Sequence, residues 1–182
     1  AMIAEAIADY NKAIELNPNK AVVYYNRANL YRELGKDKEA MSDYNKAIEF
    51  DLNNANAYNN RANLYKKLGK DKEAIADLNK AIELKPDFKD AWLGKARLIY
   101  NKAFKMEQKA LEIRDFKLSD QEVAKALEVY KESIPFFEKV IELDSEDYET
   151  MKTLRGLFYK LTNSDPSYQA KYDEINKKML GY

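Results

Sequence analysis

The chain has 182 residues, 46% of them hydrophobic and 34% charged, and its 31 basic and 31 acidic side chains cancel. That balance excludes a general electrostatic drive toward nucleic acid, anionic lipid or a strongly acidic substrate. With no Cys and no His, disulfides, thiolate chemistry, the commonest general base and the commonest transition-metal ligand are all excluded, so no catalytic residue, metal or cofactor is expected.

The 5 Gly and 4 Pro are too few for a turn-rich β fold. No apolar run approaches the roughly 20 residues that span a bilayer, and no basic-then-apolar leader opens the chain. Ala1-Met2-Ile3-Ala4 runs straight into a helical pattern, the opening expected of a segment taken from inside a longer array.

The first predicted helix covers residues 2–17, with the run Glu5-Ala6-Ile7-Ala8-Asp9-Tyr10-Asn11-Lys12-Ala13-Ile14-Glu15 ahead of Pro18. Two units follow, at 21–54 and 55–88, and they repeat each other at an offset of 34. Tyr24-Tyr25-Asn26-Arg27-Ala28-Asn29-Leu30-Tyr31 aligns with Tyr58-Asn59-Asn60-Arg61-Ala62-Asn63-Leu64-Tyr65. The match continues from Leu34-Gly35-Lys36-Asp37 against Leu68-Gly69-Lys70-Asp71, and closes at Asn45-Lys46-Ala47-Ile48-Glu49 against Asn79-Lys80-Ala81-Ile82-Glu83.

Within each unit the apolar residues recur at helical spacing in two halves. Gly35 and Gly69 fall between the halves, where a left-handed helix end needs no Cβ. Pro18 and Pro86 fall after the second half, where a helix must stop. Ala28, Ala40 and Ala47, with Ala62, Ala74 and Ala81, are the small residues that let two helices approach closely. Each unit therefore reads as a helical hairpin with too little core to stand alone.

A 34-residue period carrying an aromatic, a small residue, Tyr, Gly, Ala, Ala and Pro in this order resembles the tetratricopeptide repeat (TPR). The resemblance implies an all-α, right-handed α-solenoid of antiparallel helix-turn-helix hairpins across residues 1–182. Residues 2–17 are then a half repeat, the second helix only. Residues 89–147 are a third repeat, with Trp92, Ala96 and Ile99 at the signature places, and 148–182 a C-terminal capping hairpin.

The third repeat departs from the family by about 25 extra residues. Ile99, Ala103, Met106, Ala110 and Ile113 step by four and three, as do Val123, Leu127, Tyr130, Ile134, Phe137 and Ile141. Two elongated antiparallel helices are predicted over 99–141, projecting beyond the solenoid. Ser119 with Glu122 forms a capping box that places the second start just after Leu118, and Pro135 should kink that helix. This long-armed repeat resembles bacterial cell-envelope TPR proteins, which leans the compartment toward the envelope without deciding between cytoplasm and periplasm.

The last helix is predicted to start at Asp165-Pro166. Tyr168, Tyr172, Ile175 and Met179 form its apolar stripe, with a charged back, as a terminal cap requires. The first helix has no such cap. Its apolar face is expected to be covered by a neighbouring chain or a missing partner helix.

The family register also implies a concave groove lined by Val22, Tyr25, Asn26, Asn29 and Glu33, then Asn56, Asn59, Asn60, Asn63 and Lys67, then Asp90, Leu93, Gly94, Arg97 and Asn101. A carboxamide offers both a donor and an acceptor, so an Asn ladder suits an extended peptide backbone. Tyr25 and Tyr100 add aromatic contacts. Candidate peptide-binding residues are therefore Tyr25, Asn26, Asn29, Asn59, Asn60, Asn63, Lys67, Arg97, Tyr100 and Asn101. The grip on the C-terminal carboxylate of heat-shock chaperones, a Lys/Asn, Asn, Lys/Arg set, is met only by Asn29 and Asn60. Tyr25, Asp90 and Gly94 replace its cations, which excludes it.

The expected function is a non-catalytic protein–protein interaction scaffold with a protein or peptide partner, neither nucleic acid nor an inserted membrane. The alternative is a self-assembly element that forms a homo-oligomer through the uncapped first helix and the long hairpin. Carboxylate pairs such as Glu142 and Asp144 sit at a helix end without a phosphate loop or nucleophile elbow beside them, and read as solvated.

Overall fold

The computed structural model describes residues 2–181, and every regular element among them is an α-helix. Residues through Ala91 form one compact unit and residues from Trp92 a second. The fold class is all-α, of the helical-repeat type.

The first unit holds α1 (Met2–Leu16), α2 (Ala21–Glu33), α3 (Asp37–Phe50), α4 (Ala55–Lys67) and α5 (Asp71–Leu84). Helices α2 and α3 pair as one hairpin, and α4 and α5 as the next. The alanines sit where the helices come closest: Ala28, Ala40, Ala47, Ala74 and Ala81 are fully buried, and Ala62 nearly so. A larger side chain at any of these would hold the helices apart.

The turn inside each hairpin is set by its glycine. Gly35 and Gly69 adopt φ of +69° and +71°. Gly35 N–H donates to the Arg32 carbonyl and Lys36 N–H to that of Tyr31, at 3.0 and 2.8 Å. Gly69 and Lys70 repeat the pattern onto Lys66 and Tyr65 at 3.1 and 2.9 Å. This is the paired bonding of a Schellman end, which satisfies carbonyls the helix leaves orphaned.

One ionic motif recurs at the same offset. The Arg27 guanidinium donates through Nε and Nη2 to both Asp43 oxygens at 2.7 Å, and through Nη1 to Asn11 Oδ1 at 2.6 Å. Arg61 does likewise with both Asp77 oxygens at 2.7 Å and with Asn45 Oδ1 at 2.9 Å. Each arginine thus ties the two helices of its own hairpin and reaches the second helix of the preceding one. Tyr24 and Tyr31 flank Arg27 at 5.7 and 5.6 Å from their ring centres, and Tyr58 and Tyr65 flank Arg61 at 5.6 and 5.7 Å. The rings shield each guanidinium while their quadrupoles attract it. Both arginines have their pKa raised, first by the hydrogen bond to the aspartate.

The second unit holds most of α6 (Lys89–Leu111), then α7 (Phe116–Leu143), α8 (Tyr148–Thr162) and α9 (Tyr168–Leu180). Helices α6 and α7 are 23 and 28 residues long, against 13 to 15 for the others. Along their seam Ala103, Ala110, Tyr130, Ile134, Phe137 and Ile141 are buried, as the stepping of four and three requires. Glu107 of α6 joins the unit's helices: it accepts from the Tyr130 hydroxyl of α7 at 2.9 Å and from Lys160 Nζ of α8 at 2.6 Å.

One local expectation is corrected here. Helix α7 begins at Phe116, capped by Asp115, whose carboxylate accepts from Leu118 N–H at 3.0 Å. Ser119 does not cap it; its hydroxyl donates to the Ala110 carbonyl at 2.9 Å and so closes the end of α6. Asp115 wins because a carboxylate one turn earlier reaches the orphan amides first. Pro135 lies inside α7, as its place in the sequence implied, and is exposed. Having no N–H, Pro135 cannot donate to the Lys131 carbonyl one turn back.

In α9, Ile175 and Met179 are buried and Tyr168 and Tyr172 pack against the same cluster, as the apolar stripe demands. The helix itself starts at Tyr168; Asp165 instead holds a turn by accepting from Ser167 N–H at 3.0 Å. No helix among the described residues is long and apolar enough to cross a membrane.

Two predictions follow from this packing. Thermal denaturation should show Gly69→Ala losing roughly 1–2 kcal/mol to the left-handed backbone. Gly156→Ala should instead gain about 0.5–1 kcal/mol, since Gly156 is helical and exposed, and a Cβ added there would meet no neighbouring group within 4 Å. In a double-mutant cycle, Asp77→Ala should cost about 3 kcal/mol by stranding Arg61, and adding Arg61→Met should recover much of it.

Candidate functional site

The groove residues assigned from sequence divide between the two units. Tyr25, Asn26 and Asn29 stand on α2, Asn59, Asn60, Asn63 and Lys67 on α4, and Arg97, Tyr100 and Asn101 on α6 in the second unit.

Three of them come together. Asn60 Nδ2 donates to Asn29 Oδ1 at 3.0 Å and to the Tyr25 hydroxyl at 3.3 Å. The same Asn29 oxygen accepts from the Tyr44 hydroxyl at 2.6 Å. Tyr44 lies on α3 with 0% of its surface exposed, so the cluster is anchored from beneath. Its ring packs 6.2 Å from that of Tyr25. The four side chains therefore link α2, α3 and α4.

What the cluster leaves over is its chemistry. Asn29 has spent its carbonyl oxygen on two donors, and its NH2 makes no hydrogen bond among the described residues. Asn60 has spent its NH2, and its oxygen is left as an acceptor. Both residues are partly exposed. One unused donor and one unused acceptor, on partly exposed side chains of α2 and α4, match the two faces of a peptide bond.

The other positions differ in access. Asn26 is partly exposed and Asn63 exposed, while Asn59 is 6% exposed and presents little to a partner. Lys67 pairs with Asp37 at 2.6 Å on an exposed edge. In the second unit Arg97 and Asn101 are exposed, whereas the Tyr100 ring packs edge-on against Tyr130 at 5.0 Å and Phe137 at 6.1 Å.

Sequence reasoning missed Tyr44, which decides the pose of Asn29. The signal was a mismatch that adds a hydroxyl at a core position of a repeated segment: Tyr44 corresponds to Leu78 at the offset of 34. Asn63, the counterpart of Asn29, has no hydroxyl beneath it and stays exposed. Glu107 was also missed, since nothing in the spacing marks a carboxylate that faces Tyr130 and Lys160.

No group of three or more His, Cys, Asp and Glu among the described residues could hold a metal ion. Glu142 and Asp144 show no convergence: Glu142 accepts from Lys139 at 2.6 Å, and Asp144 caps the loop by accepting from Glu146 N–H at 3.1 Å.

Comparison with known families matches residues 3–35 and 28–69 to the TPR repeat, and residues 55–88 to the tetratricopeptide repeat. Among solved structures, the Arabidopsis OM64 TPR domain is similar at 36% identity and TM-score 0.51, over 53% of this chain and 80% of that one. The first TPR of Spaghetti (RPAP3), bound to the HSP90 peptide SRMEEVD, is similar at 25% identity and TM-score 0.57, over 79% and 94%. MamA shares the fold at 19% identity and TM-score 0.63, over 99% and 92%. No curated protein sequence matches the chain.

The anchor of the cluster can be titrated. Burial, its largest cause, pushes the Tyr44 hydroxyl from 10.0 up to about 12. A raised folded value means stability is intact below pH 10 and falls as pH climbs from there toward 12. Absorbance titration of phenolate should show a late component that Tyr44→Phe removes, with unfolding by alkali beginning only above pH 10.

Proposed function

The chain belongs to the tetratricopeptide repeat family, and from that premise we propose that it is a non-catalytic scaffold that holds an extended peptide segment of a partner protein. The observation that carries this reading is the partly exposed Asn29–Asn60 pair, held by Tyr44 and Tyr25, with one donor and one acceptor left unused. Asn26 and Asn63 extend the carboxamide row along α2 and α4. Backbone recognition by neutral amides selects an extended conformation and tolerates varied side chains.

Charge supports the same reading. Where a carboxylate-gripping repeat would carry a cation, Tyr25 stands instead, its hydroxyl already accepting from Asn60. The peptide seen on the Spaghetti domain belongs to that protein; the carboxamide row here favours internal peptide backbone over an acidic tail. In the second unit, the exposed Arg97 and Asn101 are proposed as further polar contacts, with Tyr100 as a supporting residue rather than a primary one.

A second reading rests on the tip of the long hairpin, where Leu111, Phe116 and Leu118 are 64%, 86% and 46% exposed. Apolar side chains of this size, clustered at one end, suit self-association. Light scattering across a concentration series separates the two: a peptide-binding scaffold stays monomeric at micromolar concentration, and Phe116→Glu leaves it unchanged.

Short peptides selected from a displayed random library on the unmodified chain give the direct test. Asn60→Ala with Asn63→Ala should weaken them by roughly tenfold or more, at about 1 kcal/mol for each lost hydrogen bond, while circular dichroism shows the helices retained and the melting temperature falls only by what the lost Asn60 bonds to Asn29 and Tyr25 supply. Equal affinity in the double variant would sink the groove reading.

A further inference from the structure

The long hairpin is well covered only at its base. There Glu107 accepts from Lys160 Nζ of α8 at 2.6 Å, and Ala103, Ala126 and Tyr130 are fully buried. Lys160 stands near the end of α8, which closes at Thr162. Past that level the stepping of four and three continues through Met106, Ile113 and Val123, yet these are only half-buried. Leu111, Phe116 and Leu118, at the same end, are exposed.

The less covered stretch has a definite shape. A cleft of about 300 Å3 opens between α6 and α7, lined by Met106, Ala110, Ile113 and Leu118 and by two charged side chains, Lys109 and Glu122. Two hydrogen bonds hold its walls: Ser119 donates to the Ala110 carbonyl at 2.9 Å, and Asp115 accepts from Leu118 N–H at 3.0 Å. A ligand therefore meets side chains on a backbone already ordered, which lowers the entropic cost of binding.

The charges of the cleft are not equivalent. Glu122 is committed to Lys125, from which it accepts at 2.5 Å. The Lys109 ammonium has no hydrogen bond or ion pair among the described residues. Outside the lining, Arg114 and Lys117 are exposed without a carboxylate partner, as Glu112 and Asp120 are without a cation. The cleft itself thus offers apolar walls and one uncommitted cation.

We propose that the tip of the long hairpin docks an amphipathic helix of a partner protein, with apolar side chains in the cleft and an acidic side chain paired with Lys109. The volume is at the lower limit of the roughly 300–1,000 Å3 of small-molecule sites, while the apolar surface runs on to Leu111 and Phe116. A helix presenting apolar residues three and four apart matches that extent and the step of the seam. A second copy would bring the same uncommitted Lys109 and no free carboxylate from its own cleft. A lipid surface would make no use of a cleft. This site lies in the second unit and is independent of the Asn29–Asn60 cluster, so either can fail alone.

The test displays helix-patterned peptides, apolar at every third and fourth position, with Glu, Lys or Gln allowed at the flanking positions. They are selected on the full chain after depletion on its Leu118→Glu variant. Binders enriched in Glu over Lys are expected, and fluorescence anisotropy should show their affinity falling about fivefold with Lys109→Glu. Exchanging the peptide's flanking Glu for Lys should restore most of that loss in the Lys109→Glu chain, a rescue that misfolding could not produce. Asn60→Ala with Asn63→Ala should leave the same peptides bound as tightly, which separates this site from the groove. Absence of any binder that depends on Leu118, enrichment of Lys over Glu, or indifference to Lys109→Glu would each overturn the proposal. So would a dimer in sedimentation that Phe116→Glu dissolves, which assigns the tip to a second copy. Flotation with phosphatidylserine vesicles that the same variant abolishes would assign it to lipid, and overturn it too.

Discussion

The arginine clamp organises the first unit. Arg27 and Arg61 each occupy one helix and bond to two others, so a single side chain fixes both the closure of its hairpin and the spacing to the hairpin before it. A hydrophobic contact could supply the attraction but not the register, because burial of apolar surface has no preferred direction. The fork geometry of a guanidinium on a carboxylate does have one. Desolvating such a pair is costly, which argues that its role is positional as much as stabilising. Flanking tyrosines keep water from the pair without competing for the aspartate.

Once that frame is set, the alanines and glycines become intelligible. The clamp draws the helices to a separation at which only Ala fits at the contact points, hence the complete burial of Ala40, Ala47, Ala74 and Ala81. The tight reversal between the helices then requires positive φ, which Gly35 and Gly69 provide. In the second unit the frame changes. Lys95 stands at the place of Arg27 and Arg61 two periods and one period on, and it lies over the Phe136 ring at 4.2 Å. Burial there lowers its pKa, the opposite direction to the arginines. A cation facing a ring has no directional partner, and Glu107 takes up the linking role among α6, α7 and α8.

This explains what could be seen in the sequence and what could not. Periodicity exposes whatever is repeated: hairpins, small residues at helix contacts, glycine ends and the long seam of α6 and α7 all recur at fixed steps. Interactions made once leave no such mark. The bond from Tyr44 to Asn29 is not repeated in the next unit, where Leu78 takes the place of Tyr44, and Asp115 outcompeted Ser119 as a cap through geometry that spacing alone does not encode. Family register placed Asn29 and Asn60 on one surface, but the bond between them depends on side-chain orientation across two helices.

The asparagines show how one residue type is put to several uses by its neighbours. Asn11 and Asn45 face an arginine and serve as acceptors inside the frame. Asn54 caps α4 by accepting from Ala57 N–H at 2.9 Å. Asn29 and Asn60 satisfy half of each other and retain the other half for the outside. That partial satisfaction is the property a recognition surface needs: a fully paired carboxamide offers nothing, and a wholly free one must lose rotamer freedom on binding. Tyr44 supplies the rigidity by holding Asn29 from the core side, so the orienting cost is met when the chain folds rather than when a partner arrives.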